Sequence, residues 1–174
     1  MVRFQFNESK AVEALVFIAQ RWPGITPFYL SKVLFFSDRD HLRKYGRPVI
    51  GDIYIAMDNG PVPSRVYDIV KGNLDFFGDP AAIKAALHID RDAQYPQMFH
   101  AREPDTEQFS ETDIAALSEA IAFCKGKSFP YLSNLTHNEE AWSSAARDTE
   151  MSLELLVPED QREEVREAAA YAVL

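Results

Sequence analysis

The sequence has one cysteine, Cys124, in 174 residues. A single thiol excludes an intramolecular disulfide and any zinc site built on several thiolates. Its position beside Ile121 and Phe123 in an apolar helical pattern is that of a buried, inert side chain. Long hydrophobic runs are missing too. The longest, Ala14 to Ala19, falls far short of the roughly 18 apolar residues that a membrane span needs. No charged leader with an apolar core and a small-residue cleavage site opens the chain, which therefore reads as cytoplasmic. Positive charge is scarce: 18 Lys and Arg stand against 27 Asp and Glu, a net charge of −9. The densest basic cluster, Arg39, Arg43, Lys44 and Arg47, is interrupted by Asp38 and Asp40. Such a surface repels a phosphate backbone, so nucleic acid is not an expected partner. A basic or electrostatically mixed protein surface fits better.

Glycine is sparse, and its placement supplies no phosphate cradle. Gly46-Arg-Pro-Val-Ile-Gly51 has proline and β-branched residues between its glycines and matches neither the Walker nor the dinucleotide fingerprint. Ser31, Ser37, Ser64 and Ser133 lack a glycine-rich elbow, and no histidine lies near Cys124 in sequence. Two pairs, Asp38-x-x-His41 and His137-x-x-Glu140, would each place a carboxylate and an imidazole on one helical face. Two such pairs can build a di-metal site, and this is the sharpest enzymatic pattern in the chain. No further inward carboxylates complete a ligand set, and a helical pair at this spacing usually orients a side chain or sits in solvent.

What is present is a set of clear helix signals. Asn7 is placed to cap a helix carrying Val12, Leu15, Val16 and Ala19, which Pro23-Gly24 ends. Thr26-Pro27 starts a second, with Leu30, Val33, Leu34, Phe36 and Leu42 on its buried side and Gly46 and Pro48 as its stop. Ile53 to Met57 reads as a strand covered on both faces. Asn59-Gly60 has the form of a hairpin turn, but Pro61 and Pro63 argue against a return strand, so the segment is expected to feed directly into a helix from Ser64. Leu87–Asp90 and Gln97–Ala101 are expected to form a hairpin and, with Ile53–Met57, one three-stranded sheet. Ser110-Glu-Thr-Asp113 is a capping-box start. Shorter helices follow from Ser128, with Pro130 in the first turn, and after Asn138, the latter holding Trp142. A last helix is predicted over Glu159–Val173, within a stretch rich in acid: Glu150, Glu154, Glu159, Asp160, Glu163, Glu164 and Glu167. The fold class is α+β, mainly α: a compact helical domain with a small antiparallel sheet.

Lys32-Val-Leu-Phe-Phe-Ser-Asp38, His41-Leu42, Tyr45-Gly-Arg-Pro-Val-Ile-Gly-Asp52, Tyr54-x-Ala56 and Gly60-Pro-Val-Pro63 form an ordered series. Together with Leu132-Ser-Asn-Leu-Thr-His137 and Trp142, it resembles the Panacea domain of SocA-like antitoxins. The likeness spans about Val12 to Trp142, which sets a domain over residues 1–145 and leaves 146–174 as an acidic helical extension. It implies a bacterial protein without enzymatic activity or cofactor. Its partner would be a toxin protein encoded by the adjacent gene, neutralised by direct binding. A second reading of the resemblance is a proteolytic adaptor that hands the toxin to an ATP-dependent protease. A third, from the residues alone, is a metal-dependent hydrolase on Asp38, His41, His137 and Glu140. For the antitoxin reading, the expected contact residues are Arg39, Arg43, Tyr45, Arg47, Asp58 and Arg65. Lys32, Asp38, His41, Gly46, Pro48, Gly51, Asp52, Gly60, Pro61, His137 and Trp142 are expected to shape the backbone.

Overall fold

A computed structural model describes residues 1–171. Helix α1 spans Glu8–Arg21, and the Asn7 side chain caps it by accepting from the Lys10 amide. Nearly all of α1 from Ala11 to Ala19 is buried, so it is the central element of the core. Helix α2, Pro27–Tyr45, follows after a short turn and ends at Gly46, whose left-handed φ of 72° suits glycine at this C-terminal position. It buries Leu30, Val33, Leu34, Phe35 and Phe36. Its main neighbour is α5, Glu111–Cys124, which opens on the expected capping box between Ser110 and Asp113.

The β structure differs from the expectation. Strand β1, Tyr54–Met57, pairs antiparallel with β2, Gly60–Pro63, in the register Ala56 with Pro61 and Tyr54 with Pro63. The hairpin that the prolines argued against therefore forms. The reason is register. The Ala56 amide donates to Thr149 O, its carbonyl accepts from the Asp148 amide, and the Tyr54 carbonyl accepts from the Met151 amide. Tyr54 and Ala56 thus turn their backbone groups away from β2, and the prolines opposite them are asked for no donor. Helix α3, Ser64–Lys71, leaves β2 directly.

Helix α4, Pro80–Ala86, leads into β3, Leu87–Asp90, which pairs with β4, Gln97–His100. This second hairpin stays separate from the first, so two two-stranded sheets replace the single three-stranded one. Its extra contact is with the α1–α2 turn, where Ile25 bridges Met98. The second neighbour of β1 is instead the segment around Glu150, bridged to Ile55. Helices α6, Phe129–His137, and α7, Glu140–Ser143, follow α5, with Ser128 capping α6. Asn138 closes α6 rather than opening α7, whose N-cap is Glu139. The last expected helix starts as a 3-10 turn at Glu159–Gln161 and continues as α8, Arg162–Tyr171; Val173 lies outside the described residues. Among the described residues no helix is long and apolar enough to cross a membrane.

Residues after 146 pack into the same core as the helices. Met151, Leu153, Leu156, Val157 and Val165 are buried members of one continuous apolar cluster with α1 and α2. Three of the acidic side chains of this region are paired: Glu150 with Arg3, and Glu154 and Glu163 both with Arg166. Leu156→Ala is expected to lower unfolding stability by about 2–4 kcal/mol, as truncating a buried leucine does. Urea denaturation checks this, and a loss under about 1 kcal/mol would show that the segment contributes little to the core.

Candidate interaction surface around the first hairpin

The two residues at the tip of the β1–β2 hairpin, Asp58 and Asn59, are exposed, and everything beneath them is held. From α2, Lys32 runs into the core with 1% exposure and donates from Nζ to the Asn59 carbonyl at 2.7 Å. Its ammonium also lies 4.8 Å from the Phe28 ring centroid, a favourable cation–π position. Burial pushes the Lys32 pKa down to about 7. Gly60 completes the arrangement with a φ of +103°. A Cβ there would collide with Thr136 Oγ1 and come within 2.5 Å of Lys32 Nζ. From the other side, Trp142 donates from Nε1 to the Met57 carbonyl at 3.1 Å. The His137 ring stacks on Trp142 with centroids 3.8 Å apart and planes 18° from parallel. Burial, with help from the Lys32 charge, lowers the His137 pKa, and its Nε2 is buried without a hydrogen-bond partner among the described residues.

The carboxylates of the segment are turned onto backbone amides. Asp38 Oδ1 accepts from the Val49 and Ile50 amides, and Oδ2 accepts from the Tyr54 hydroxyl. Burial pushes its pKa up to about 7 against those three bonds. Asp52 accepts from the amides of Ile53, Arg65 and Val66. It therefore caps α3, whose own N-cap is Pro63 and has no side chain to do so. Burial raises its pKa to about 6. His41 is fully buried and has both nitrogens engaged. Nδ1 donates to the Arg47 carbonyl at 2.7 Å, while Nε2 faces the Thr112 hydroxyl at 3.0 Å and Asp113 Oδ1 at 3.3 Å. Gly51, with φ +75°, leaves room for the Gln5 carbonyl, which a Cβ would approach to 2.6 Å.

The four residues of the metal pattern are not brought together. Asp38 and His41 spend their lone pairs as just described, His137 ends α6, and Glu140 begins α7, so the latter two do not share a helical face. Glu140 pairs with Arg162. Among the described residues, no group of three or more His, Cys, Asp or Glu side chains is arranged to hold a metal ion. Cys124 is buried, and burial pushes its thiol up to about 12.

The six expected contact residues are spread over several faces. Arg39 and Arg43 both clamp Glu139, which joins α2 to the start of α7. Tyr45 and Arg47 line a cleft of about 510 Å³ with Phe4, Gly46 and Pro48, and Arg47 also pairs with Asp113. Arg65 donates to the Phe76 carbonyl and lies over the Phe77 ring. Asp58 stands at the hairpin tip and pairs with Arg147.

A family model described as antitoxin SocA-like, Panacea domain, matches residues 30–143, more than half of the chain. The chain belongs to the SocA-like Panacea family. No curated protein and no solved structure gave a significant match. The SocA-like match ends at Ser143, ahead of the strand-like segment that completes the sheet around β1. Beside the tip, a cleft of about 440 Å³ is lined by Phe28, Lys32, Asp58, Tyr67 and Arg147. Of these, Phe28, Tyr67 and Arg147 were not singled out by the sequence. The available signal was the aromatic pair Phe28-Tyr29 in the first turn of α2, ahead of the buried stripe that begins at Leu30.

Two measurements check this site. Gly60→Ala is expected to cost about 2 kcal/mol or more, from left-handed strain and overpacking combined; equilibrium unfolding in urea reads it. The unfolded chain keeps the Lys32 proton to about pH 10, whereas the folded chain releases it near 7. Stability should therefore rise from pH 7 to 9, and the rise should shrink in Lys32→Met. Parallel pH profiles of the two proteins would refute the assignment.

Proposed function

We propose that this chain is an antitoxin that neutralises a cognate bacterial toxin protein by direct, stoichiometric binding. It covers the toxin's active or target-binding surface and performs no chemistry of its own. The observation that carries this reading is the convergence of Lys32, Gly60, His137 and Trp142 beneath an exposed two-residue tip. The polar groups of the SocA-like motifs are consumed in fixing that shape, as the saturated Asp38, Asp52 and His41 illustrate. A rigid, preformed surface loses little conformational freedom on association, which favours affinity. A complex of this type buries on the order of 1,600 Å² in total. In this reading Asp58, at the exposed tip, belongs to the contact. Its ion pair with Arg147 is exposed on both sides and contributes little to folding.

The test is co-expression with the product of the adjacent gene. That product should arrest growth alone, and this chain should restore growth and co-purify with it at one to one while the toxin level stays constant. A non-toxic neighbour, or a toxic one that does not co-purify, refutes the reading. A toxin that disappears on co-expression replaces occlusion with delivery to an ATP-dependent protease. Asp58→Arg should melt as the parent does yet weaken toxin binding at least tenfold, measured by calorimetric titration.

A further inference from the structure

Next to the hairpin tip lies a larger groove of about 960 Å³, built from four segments distant in sequence. The start of α2 contributes Phe28 and Tyr29, α3 contributes Tyr67 and Lys71, the β3–β4 connection Arg91 and Tyr95, and the start of α6 Phe129. The rings form a connected wall. Phe129 and Phe28 have centroids 4.1 Å apart, and Tyr29 lies 5.2 Å from both Phe28 and Trp22. Much of this wall faces solvent: Phe129 is 42% exposed and Tyr95 64%. A concave patch of exposed aromatic surface is what a partner's buried anchors occupy.

Charge decides what kind of partner. The sequence carries 27 acidic residues against 18 basic ones, yet no acidic side chain lines this groove. Its charged residues are Lys71 and Arg91, both cations. Lys71 lies over the Tyr67 ring, and Arg91 donates to the carbonyls of Val70 and Ile89. Among the described residues neither pairs with a carboxylate, while Arg39, Arg43, Arg102, Arg162 and Arg166 all do. The start of α2 adds partial positive charge, for Thr26 makes no side-chain capping bond there. Two cations against a net −9 do not hold a nucleic-acid strand, which needs a cation for most of its phosphates. They suit one or two carboxylates presented beside apolar side chains.

We propose that this groove docks a segment of the toxin carrying one or two Asp or Glu side chains next to apolar or aromatic anchors. Lys71 and Arg91 receive the carboxylates, and the Phe28, Tyr67, Tyr95 and Phe129 rings receive the anchors. The proposal rests on the toxin-binding reading and names the chemistry of the toxin surface that reading requires. The segment docks by its side chains, since the nearest strand edge, β2, has prolines where it would otherwise offer amides outward.

The experiment uses the full-length chain and the neighbouring toxin, with affinity measured at low and moderate salt. Wild-type affinity should fall as salt rises. The double variant Lys71→Glu/Arg91→Glu should bind at least tenfold more weakly and lose that salt dependence. Lys71→Gln/Arg91→Gln should fall between the two, which guards against a fold lost through charge reversal. Lys44→Glu/Lys84→Glu, with the same change in net charge elsewhere, should bind as wild type. With p-benzoylphenylalanine replacing Tyr95, photo-crosslinking should capture a toxin peptide containing Asp or Glu beside an apolar residue. Unchanged affinity in the Lys71/Arg91 reversal, or a crosslinked peptide without acidic residues, overturns the groove assignment and leaves the toxin reading standing. A wild-type chain that binds no toxin overturns both. A purified chain that sediments as a dimer, dissociated by the same reversal, assigns the groove to a second copy of this chain and overturns the proposal.

Discussion

The approach of the Lys32 ammonium to the Asn59 carbonyl, with only a hydrogen on Gly60 separating backbone from amine, is the contact on which the surface depends. It ties the first half of α2 to the hairpin tip, and Thr136 on α6 stands against the same glycine. A buried cation satisfied by a carbonyl and an aromatic ring, rather than by a carboxylate, is an expensive arrangement. Its depressed pKa expresses that cost. The hydrogen bond to the Asn59 carbonyl and the Phe28 ring are what the structure sets against that cost.

Two inward carboxylates extend the same rigidity. Asp38 holds the loop after α2 through the Val49 and Ile50 amides, and Asp52 holds the start of α3. Loops are ordinarily the mobile part of a domain. Here the turn out of α2, the lead into β1 and the exit from β2 are each pinned by a buried side chain. The Tyr54 hydroxyl, donating to Asp38 Oδ2, joins the first of these loops to β1 itself. These bonds join helix α2, the first sheet and α3 to one another.

The helices were legible because their signals are local. Asn7, Ser110 with Asp113, Thr26-Pro27 and Gly46 each mark an end within four residues of the element they bound. The first hairpin was not, since Pro61 and Pro63 are harmless only in one register, and register is set by a partner strand. The segment around Glu150 that shares β1 opens a short alternation, Met151, Leu153 and Leu155 against Glu150, Ser152 and Glu154, but it lies in an acid-rich stretch where nothing local names β1 as its partner. Asn138 fits the start of one helix as well as the end of another, and it took the second role. Site residues divided in the same way. Lys32, Gly60, His137 and Trp142 were identified by resemblance, and their common purpose became visible only in three dimensions. Arg39 and Arg43 were expected as contact residues, and Glu139, close to a hundred residues away, holds both. The aromatic groove draws on α2, α3, the β3–β4 connection and α6, so no window of sequence contains it.

Pro61 and Pro63 have a consequence for assembly. An exposed β-ribbon normally offers its outer rim as a template on which further chains can polymerise. On β2 the residues whose amides would point outward are these two prolines. Helices α2 and α6 pack against β2, and its two prolines leave that flank without an outward amide for a further strand. The edge is thus closed by the imino nitrogens themselves as well as by the packing around it.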